Sequence, residues 1–213
     1  MVHEATGMVL STATAENLIV PTVRLIENGR FPGGSNTRSK RRIYEQMREI
    51  IDELKIEARE ADEQKPDSAK VFIVPFTAEG DELVGCILTR LLEVEGITAG
   101  VLSWRALRSE KIEELREMRP RWILLSAIEA RSALAVDKMA RSIKMVLPET
   151  VILIGLWSLP PQRGARVIRR ISESSVGGIY TSIEQAVRGI ASLLSTASEE
   201  ADSGPINDGL AQA

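Results

Sequence analysis

From residue 70 to 194, short and evenly apolar runs alternate with stretches in which apolar residues recur every three to four positions. The runs at 71–75, 99–102, 121–126, 151–155 and 177–181 read as strands. The stretches between them read as helices with one apolar face. Leu83, Val84, Ile87, Leu88, Leu91 and Leu92 form the first such face, which Gly96 ends. Ile112, Leu115 and Met118 mark the second helix, and Val136, Met139, Ile143 and Val146 the third. Val167, Ile168 and Ile171, opened by Pro160-Pro161, mark a fourth, and Ile183, Ala186, Val187, Ile190 and Leu193 close the series. Five apolar strands joined by helical crossovers predict an α/β fold: a five-stranded parallel doubly wound sheet, flavodoxin-like or Rossmann-like, with right-handed connections.

A short helical module precedes this domain. Residues 15–29 carry Leu18, Ile19, Leu25 and Ile26 at helical spacing, with an interruption expected at Pro21 and a stop at Asn28-Gly29. After a turn-rich segment at 31–36, Ile43, Met47, Ile50, Ile51 and Leu54 recur along a long charged helix. Neither helix can bury its stripe alone, so each must pack on the other, on the α/β domain or on a partner. The resulting division is a loose N-terminal segment at 1–14, a helical module at 15–62, a linker at 63–69, the α/β domain at 70–194 and a disordered tail at 195–213, the last rich in Ser, Glu, Asp and Gly.

Composition narrows the function classes. The 213 residues are 44% hydrophobic and 27% charged, enough for one substantial core with a smaller module beside it. A net charge of -3 supplies no basic field for phosphate backbones, and the run Arg38-Ser-Lys-Arg-Arg42 is only local, so nucleic acid is not an expected partner. The single Cys86 excludes an intramolecular disulfide, suits a reducing compartment and lies on an apolar helix face, as core rather than as a nucleophile. The chain has no apolar run long enough to span a bilayer and no basic-then-apolar leader pattern, so a cytoplasmic location is expected.

Ligands of open parallel sheets bind beyond the carboxyl ends of the strands, which selects the loops to inspect. Loop one offers Thr77, Glu79, Gly80, Asp81 and Glu82; loop three offers Ser126 and Glu129; loop four offers Gly155, Trp157 and Ser158; loop five offers Thr181 and Ser182. Asp81 stands where a helix begins, and a carboxylate there serves as a cap. Gly80 and Gly85 match neither a dinucleotide fingerprint nor a P-loop. A receiver-type phosphorylation site would need an Asp after the third strand and a Lys after the fifth, and neither is present. With His3 the only histidine, no Ser-His pair is available in the loops. Glu79, Asp81, Glu82 and Glu129 could ligate a metal, but acids in a surface loop are ordinarily solvated. The loops do not demand an enzyme.

The α/β module resembles a cobalamin-binding domain, whose loop one reads D-x-H-x-x-G, loop three S-x-L and loop four G-G. Gly85 matches the last glycine of loop one, while Gly80 and Glu82 stand in place of the Asp and the cobalt-ligating His. Ser126-Ala-Ile128 is a conservative form of the loop-three motif, and Gly155-Leu-Trp157 keeps only the first glycine of loop four. Residues 16–31 are similar to the end of the helical cap that precedes such domains. The chain also resembles the soluble C-terminal region of autoinducer exporter-type permeases, related to PurR-regulated permeases. The segments concerned are Ile19-Val-Pro-Thr-Val-Arg-Leu25, Asp81-Glu-Leu-Val-Gly-Cys-Ile-Leu-Thr-Arg-Leu-Leu-Glu93, Val151-Ile-Leu-Ile-Gly-Leu-Trp157 and Thr181-Ser-Ile-Glu-Gln-Ala-Val187.

The resemblance implies a degenerate ligand site. Glu82 is a poor substitute for imidazole on cobalt, and Trp157 in place of a glycine would fill part of the channel for the cofactor's nucleotide tail. The expected function is therefore a non-catalytic regulatory, ligand-sensing or interaction domain without a cofactor, docking on a membrane permease or a second copy through the stripe from Ile43 to Leu54, with a small polar ligand possible in the crevice. The alternative is a corrinoid carrier or sensor that binds cobalamin base-on, which needs no protein histidine. A third reading is a small-molecule enzyme using Glu79 or Glu129 as a base.

Overall fold

The computed structural model describes residues 9–29, 37–53, 55–56, 71–128, 133–157, 169, 171 and 176–202. Its main sheet contains β3 (Val71–Pro75), β4 (Ala99–Val101), β5 (Trp122–Ala127), β6 (Val151–Leu156) and β7 (Gly178–Tyr180). They lie in the order β4-β3-β5-β6-β7, and every neighbouring pair is parallel. The fold is thus α/β with a doubly wound sheet of flavodoxin-like order. The helices joining and following these strands are α4 (Glu79–Val94), α5 (Arg108–Met118), α6 (Ala133–Val146) and α7 (Ile183–Asp202). Of the three apolar residues expected to mark a further helix, Val167, Ile168 and Ile171, only Ile171 is described.

Successive residues of a strand point to opposite faces, and both faces are covered. Val71 and Ile73, with Leu124 and Leu153 beside them, join Leu83, Val84, Ile87 and Leu88 of α4 in one core. Phe72 and Val74, with Ile123, Leu125, Ile152 and Ile154, join Leu115, Val136, Met139 and Ile143 in the other. Central strands buried on both sides are apolar along their length, so β3 and β5 show no polar alternation, Ser126 near the end of β5 being the one polar residue. Gly96 ends α4 in the left-handed conformation, at φ 72°, as its position after the last apolar residue predicts. A Cβ on Gly85 would lie 3.1 Å from Val101 Cγ1 and 3.2 Å from Ile73 Cγ2, so this glycine lets α4 lie close to the sheet.

The N-terminal part departs from expectation. Residues 9–14 are ordered into β1 (Val9–Leu10), which pairs in parallel with β2 (Lys55–Ile56), and into α1 (Thr12–Thr14), whose N-terminus is capped where Ser11 Oγ accepts from Thr14 N at 3.1 Å. A π-helical turn at Ala15–Ile19 leads directly into α2 (Val20–Glu27). Pro21 therefore does not interrupt the helix. It sits in the first turn of α2, and the wider π turn before it accommodates the missing N–H.

The apolar stripe of α3 (Thr37–Glu53) is covered by the rest of the chain, one of the three arrangements open to it, and is not the exposed stripe expected to dock on a permease or a second copy. Tyr44 and Ile51 are buried, Ile43 and Met47 are partly so, and all pack in the same core as α4; Leu54 lies outside the described residues. Among the described residues of that stripe, only Ile50 is well exposed. The α5 stripe is also rotated: Lys111 and Leu115 are the buried pair, with Met118 exposed. At the other end, α7 continues past Ser195 to Asp202, because Leu194 and Ala197 extend its apolar face onto the core. The linker at 63–69 and residues 203–213 lie outside the described residues. Among the described residues, no helix is long and apolar enough to cross a membrane.

Candidate functional site

Loop one is built around Asp81. Its position in the first turn of α4 lets Oδ2 accept from both Thr77 N and Ala78 N at 2.9 Å, the capping geometry the sequence suggests. The other oxygen reaches across to β5 and accepts from Ile128 N at 2.8 Å. Asp81 is 2% exposed and gathers three backbone donors, that of Ile128 buried and those of Thr77 and Ala78 part-buried. Burial pushes its pKa up, and the three N–H donors oppose that shift.

Ser126, at the end of β5, continues the network. Its hydroxyl donates to the backbone oxygen of Asp81 at 3.0 Å and accepts from Trp157 Nε1 at 2.8 Å. Trp157 N donates to Ala127 O at 3.1 Å, which fixes the indole over the strand ends. The ring lies directly against Gly155, where an added Cβ would overlap it. Gly155 is required here, but it makes room for the protein's own tryptophan. Trp157 is buried, so the space over the end of β6 beside Gly155 is occupied by its ring.

The remaining acids of loop one face the N-terminal helices. Arg48 of α3 divides its guanidinium between Glu79 Oε1 and Glu82 Oε1, both at 2.9 Å. The second Glu82 oxygen accepts from Trp104 N at 2.7 Å. Glu27, at the end of α2, accepts from Gly80 N at 3.2 Å and from the Tyr44 hydroxyl at 2.6 Å, while its other oxygen pairs with Lys40 at 2.6 Å. Gly80 allows this approach, since a Cβ there would lie 2.5 Å from Val23 Cγ1 and 2.9 Å from the Tyr44 oxygen. Loop one is consequently a latch for the helical module, and Glu79 is an ion-paired, buried group rather than a free base.

Tyr44 makes the latch sensitive to alkali. Burial and the neighbouring Glu27 carboxylate hold its hydroxyl far above the ordinary tyrosine value of 10.0. An unfolded tyrosine ionises near that value, so above it the folded state retains a proton that the unfolded state loses. The stabilisation is fully present below pH 10 and is lost as pH rises beyond it, with a slope of up to ~1.4 kcal/mol per pH unit. Thermal melts between pH 8 and 11 are expected to show this slope, and Tyr44→Phe to remove it. An identical slope in the variant would show that Tyr44 does not carry the effect.

Loop five takes part through its backbone and caps. Ser182 Oγ accepts from Gln185 N at 3.2 Å, and Thr181 Oγ1 lies 3.4 Å from Gln185 Oε1. Glu16 Oε1 accepts from Glu184 N at 2.8 Å, tying the π turn to α7. A shallow, open cleft of about 220 Å³ lies between Glu16, Asn17, Trp157, Thr181 and Ser182. The structure therefore gathers Thr77, Asp81, Ser126, Ile128, Gly155 and Trp157 at the sheet edge, turns Glu79, Gly80 and Glu82 toward the helices, and places Gly85 against the sheet. Glu129 and Ser158 lie outside the described residues. Cys86 is half-buried, and burial pushes its thiol pKa up, which does not favour a nucleophile. Among the described residues, no group of three His, Cys, Asp or Glu could hold a metal ion.

Sequence reasoning missed Glu27, Tyr44, Arg48 and Lys111. Tyr44 had a signal, as an aromatic residue one position from Ile43 in an otherwise charged helix. Lys111 had none, because a lysine at that spacing reads as solvated. Its ammonium instead donates to Pro75 O at 2.8 Å and lies 3.4 Å from Trp104 O, and burial lowers its pKa despite Asp81 and Glu82 nearby.

No family model matches this chain, and no curated protein matches it. Among solved structures, it is similar to a cobalamin-binding protein from Desulfitobacterium hafniense DCB-2, with 13% identity, a TM-score of 0.47, and coverage of 84% of this chain and 79% of the other. It is also similar to a diflavin flavoprotein A3 from Nostoc sp., with 12% identity, a TM-score of 0.39, and coverage of 64% and 99%. The A-PCP didomain of carboxylic acid reductase from Segniliparus rugosus, in complex with AMP, overlaps at 12% identity and a TM-score of 0.36, covering 70% of this chain and 20% of that one. Superpositions this loose carry no ligand or chemistry across to this chain.

Proposed function

We propose that this chain is a non-catalytic, cytoplasmic regulatory or interaction module of cobalamin-binding-like fold, acting through protein contact while its sheet crevice is closed by its own side chains. The observation that supports this reading is the Trp157 indole, seated on Gly155 and hydrogen-bonded to Ser126 at 2.8 Å. The room a nucleotide tail would need beside β6 is taken by that ring. The residue at the cobalt-ligand position, Glu82, has both oxygens engaged, one by Arg48 and one by Trp104 N.

The partner in this reading is a membrane permease or a second copy, met at the apolar side chains the N-terminal helices leave exposed, Leu18, Leu25 and Ile50. Two arms test the proposal. Spectral titration of the full chain with hydroxocobalamin and adenosylcobalamin is expected to give no saturable change; saturable micromolar binding would restore the corrinoid carrier or sensor reading. Sedimentation of the chain alone and with a co-expressed permease is expected to show association that weakens in Leu25→Lys, Ile50→Lys without loss of helical signal. Association absent in both settings, or unchanged by the substitutions, would overturn the contact surface.

A further inference from the structure

A second depression opens at the carboxyl edge of the sheet, beside loop one. It has a volume of about 350 Å³ and lies between the end of β3, the turn after β4, the start of α5 and the outer face of α6. Four of its wall residues are cations, Arg105, Arg108, Lys111 and Lys138, and none is a carboxylate. The rest of the wall is largely apolar, with Phe76 and Trp104 as its aromatic faces.

Three of the four cations are held in place. Arg108 Nη2 donates to Lys138 O at 3.0 Å and to Ser142 Oγ, which pins the guanidinium against α6. Arg105 lies over the Trp104 ring, 5.7 Å from its centroid. Lys111 is 2% exposed and bonded only to carbonyl oxygens. Among the described residues, none of the four forms an ion pair, in a chain whose acids outnumber its lysines and arginines by 30 to 27.

Among the described residues, the acids around this wall are already committed. Asp81 caps three backbone donors, Glu82 binds Arg48 and Trp104 N, Glu110 accepts from Leu107 N at 2.6 Å, and Asp137 pairs with Arg141 at 3.0 Å. A buried ammonium with no carboxylate bonded to it is costly even with Asp81 and Glu82 nearby, and like charges around a small cleft repel. An anion entering the cleft would relieve both. The volume suits a small ligand, and the sheet edge is where open α/β folds bind one.

We propose that this cleft binds a small organic anion, a carboxylate or phosphate monoester on a flat apolar body, with the cations taking the charge and Phe76 and Trp104 flanking the body. This goes beyond the reading above and stands whether or not the neighbouring crevice takes a corrinoid.

Calorimetric titration of the full chain tests it, with phenyl phosphate and 1-naphthoate as probes and inorganic phosphate and neutral 1-naphthalenemethanol as controls. Saturable one-site binding of at least one organic anion is expected, about tenfold tighter than either control. Arg108→Gln and Lys138→Gln should each weaken it by about tenfold, the loss of one charge-assisted hydrogen bond, with far-ultraviolet dichroism unchanged. The proposal is overturned by no saturable binding of either organic anion, by equal affinity for the neutral alcohol or for inorganic phosphate, or by affinity unaltered in both folded variants.

Discussion

Asp81→Ala is expected to destabilise the chain by about 3 kcal/mol and to lower its melting temperature by on the order of 10 °C. The substitution leaves without their acceptor the N–H of Ile128, which is buried, and those of Thr77 and Ala78, which are part-buried. Each orphaned buried donor costs about 1–3 kcal/mol. The sum is reduced because the variant no longer has to bury a carboxylate, the same desolvation that raises the pKa of Asp81. It also removes a negative charge that favours the protonated form of the buried Lys111. Urea unfolding reads the effect, with Asp81→Asn, which keeps one oxygen, expected to lie between wild type and alanine. A loss below about 1 kcal/mol for alanine would mean that the loop satisfies its donors otherwise.

Gly80→Leu is expected to release the helical module while the sheet stays folded. A Cβ at this position already meets Val23, Tyr44 and Glu27 at 2.5, 2.9 and 3.0 Å, and the added branches have nowhere to go while α2 and α3 are docked. Overpacking of this kind costs about 1–3 kcal/mol. Docking also places the Arg48 pairs and the Glu27 bonds, so displacement removes them together. Hydrogen exchange should show protection lost across α2 and α3 and retained in β3, β5 and β6. Uniform loss of protection would mean that the helices and the sheet fold as one inseparable unit. Unchanged protection would mean that the helices can shift to admit the side chain.

These two effects meet in one loop, which explains why its acids resemble a binding motif. Loop one has the composition of a ligand loop and the contacts of a structural joint. Its first-turn carboxylates sit at the positive end of α4, a favourable site for negative charge, and α3 supplies Arg48 as their partner.

The amino-acid sequence by itself determined the five strands, the helices after the first, second, third and fifth of them, and hence the parallel doubly wound sheet. Those features follow from periodicity within a single segment: an unbroken apolar run is buried on both faces, and a 3.6-residue repeat has one core side. The cap at Asp81 was legible for the same reason, since donors and acceptor are neighbours in the chain. Only the tertiary structure decided what the candidate site does. Arg48 meets Glu79 and Glu82 from 31 and 34 positions away, and Glu27 meets Gly80 from 53. Trp157 reaches Ser126 from 31, and Lys111 reaches Pro75 O from 36. A polar residue in sequence shows only that it can bond; burial and the docking of distant elements select its partner. The tertiary packing likewise turned the α3 stripe inward and kept α7 helical past Ser195, because an apolar face becomes ordered where another face is present to cover it.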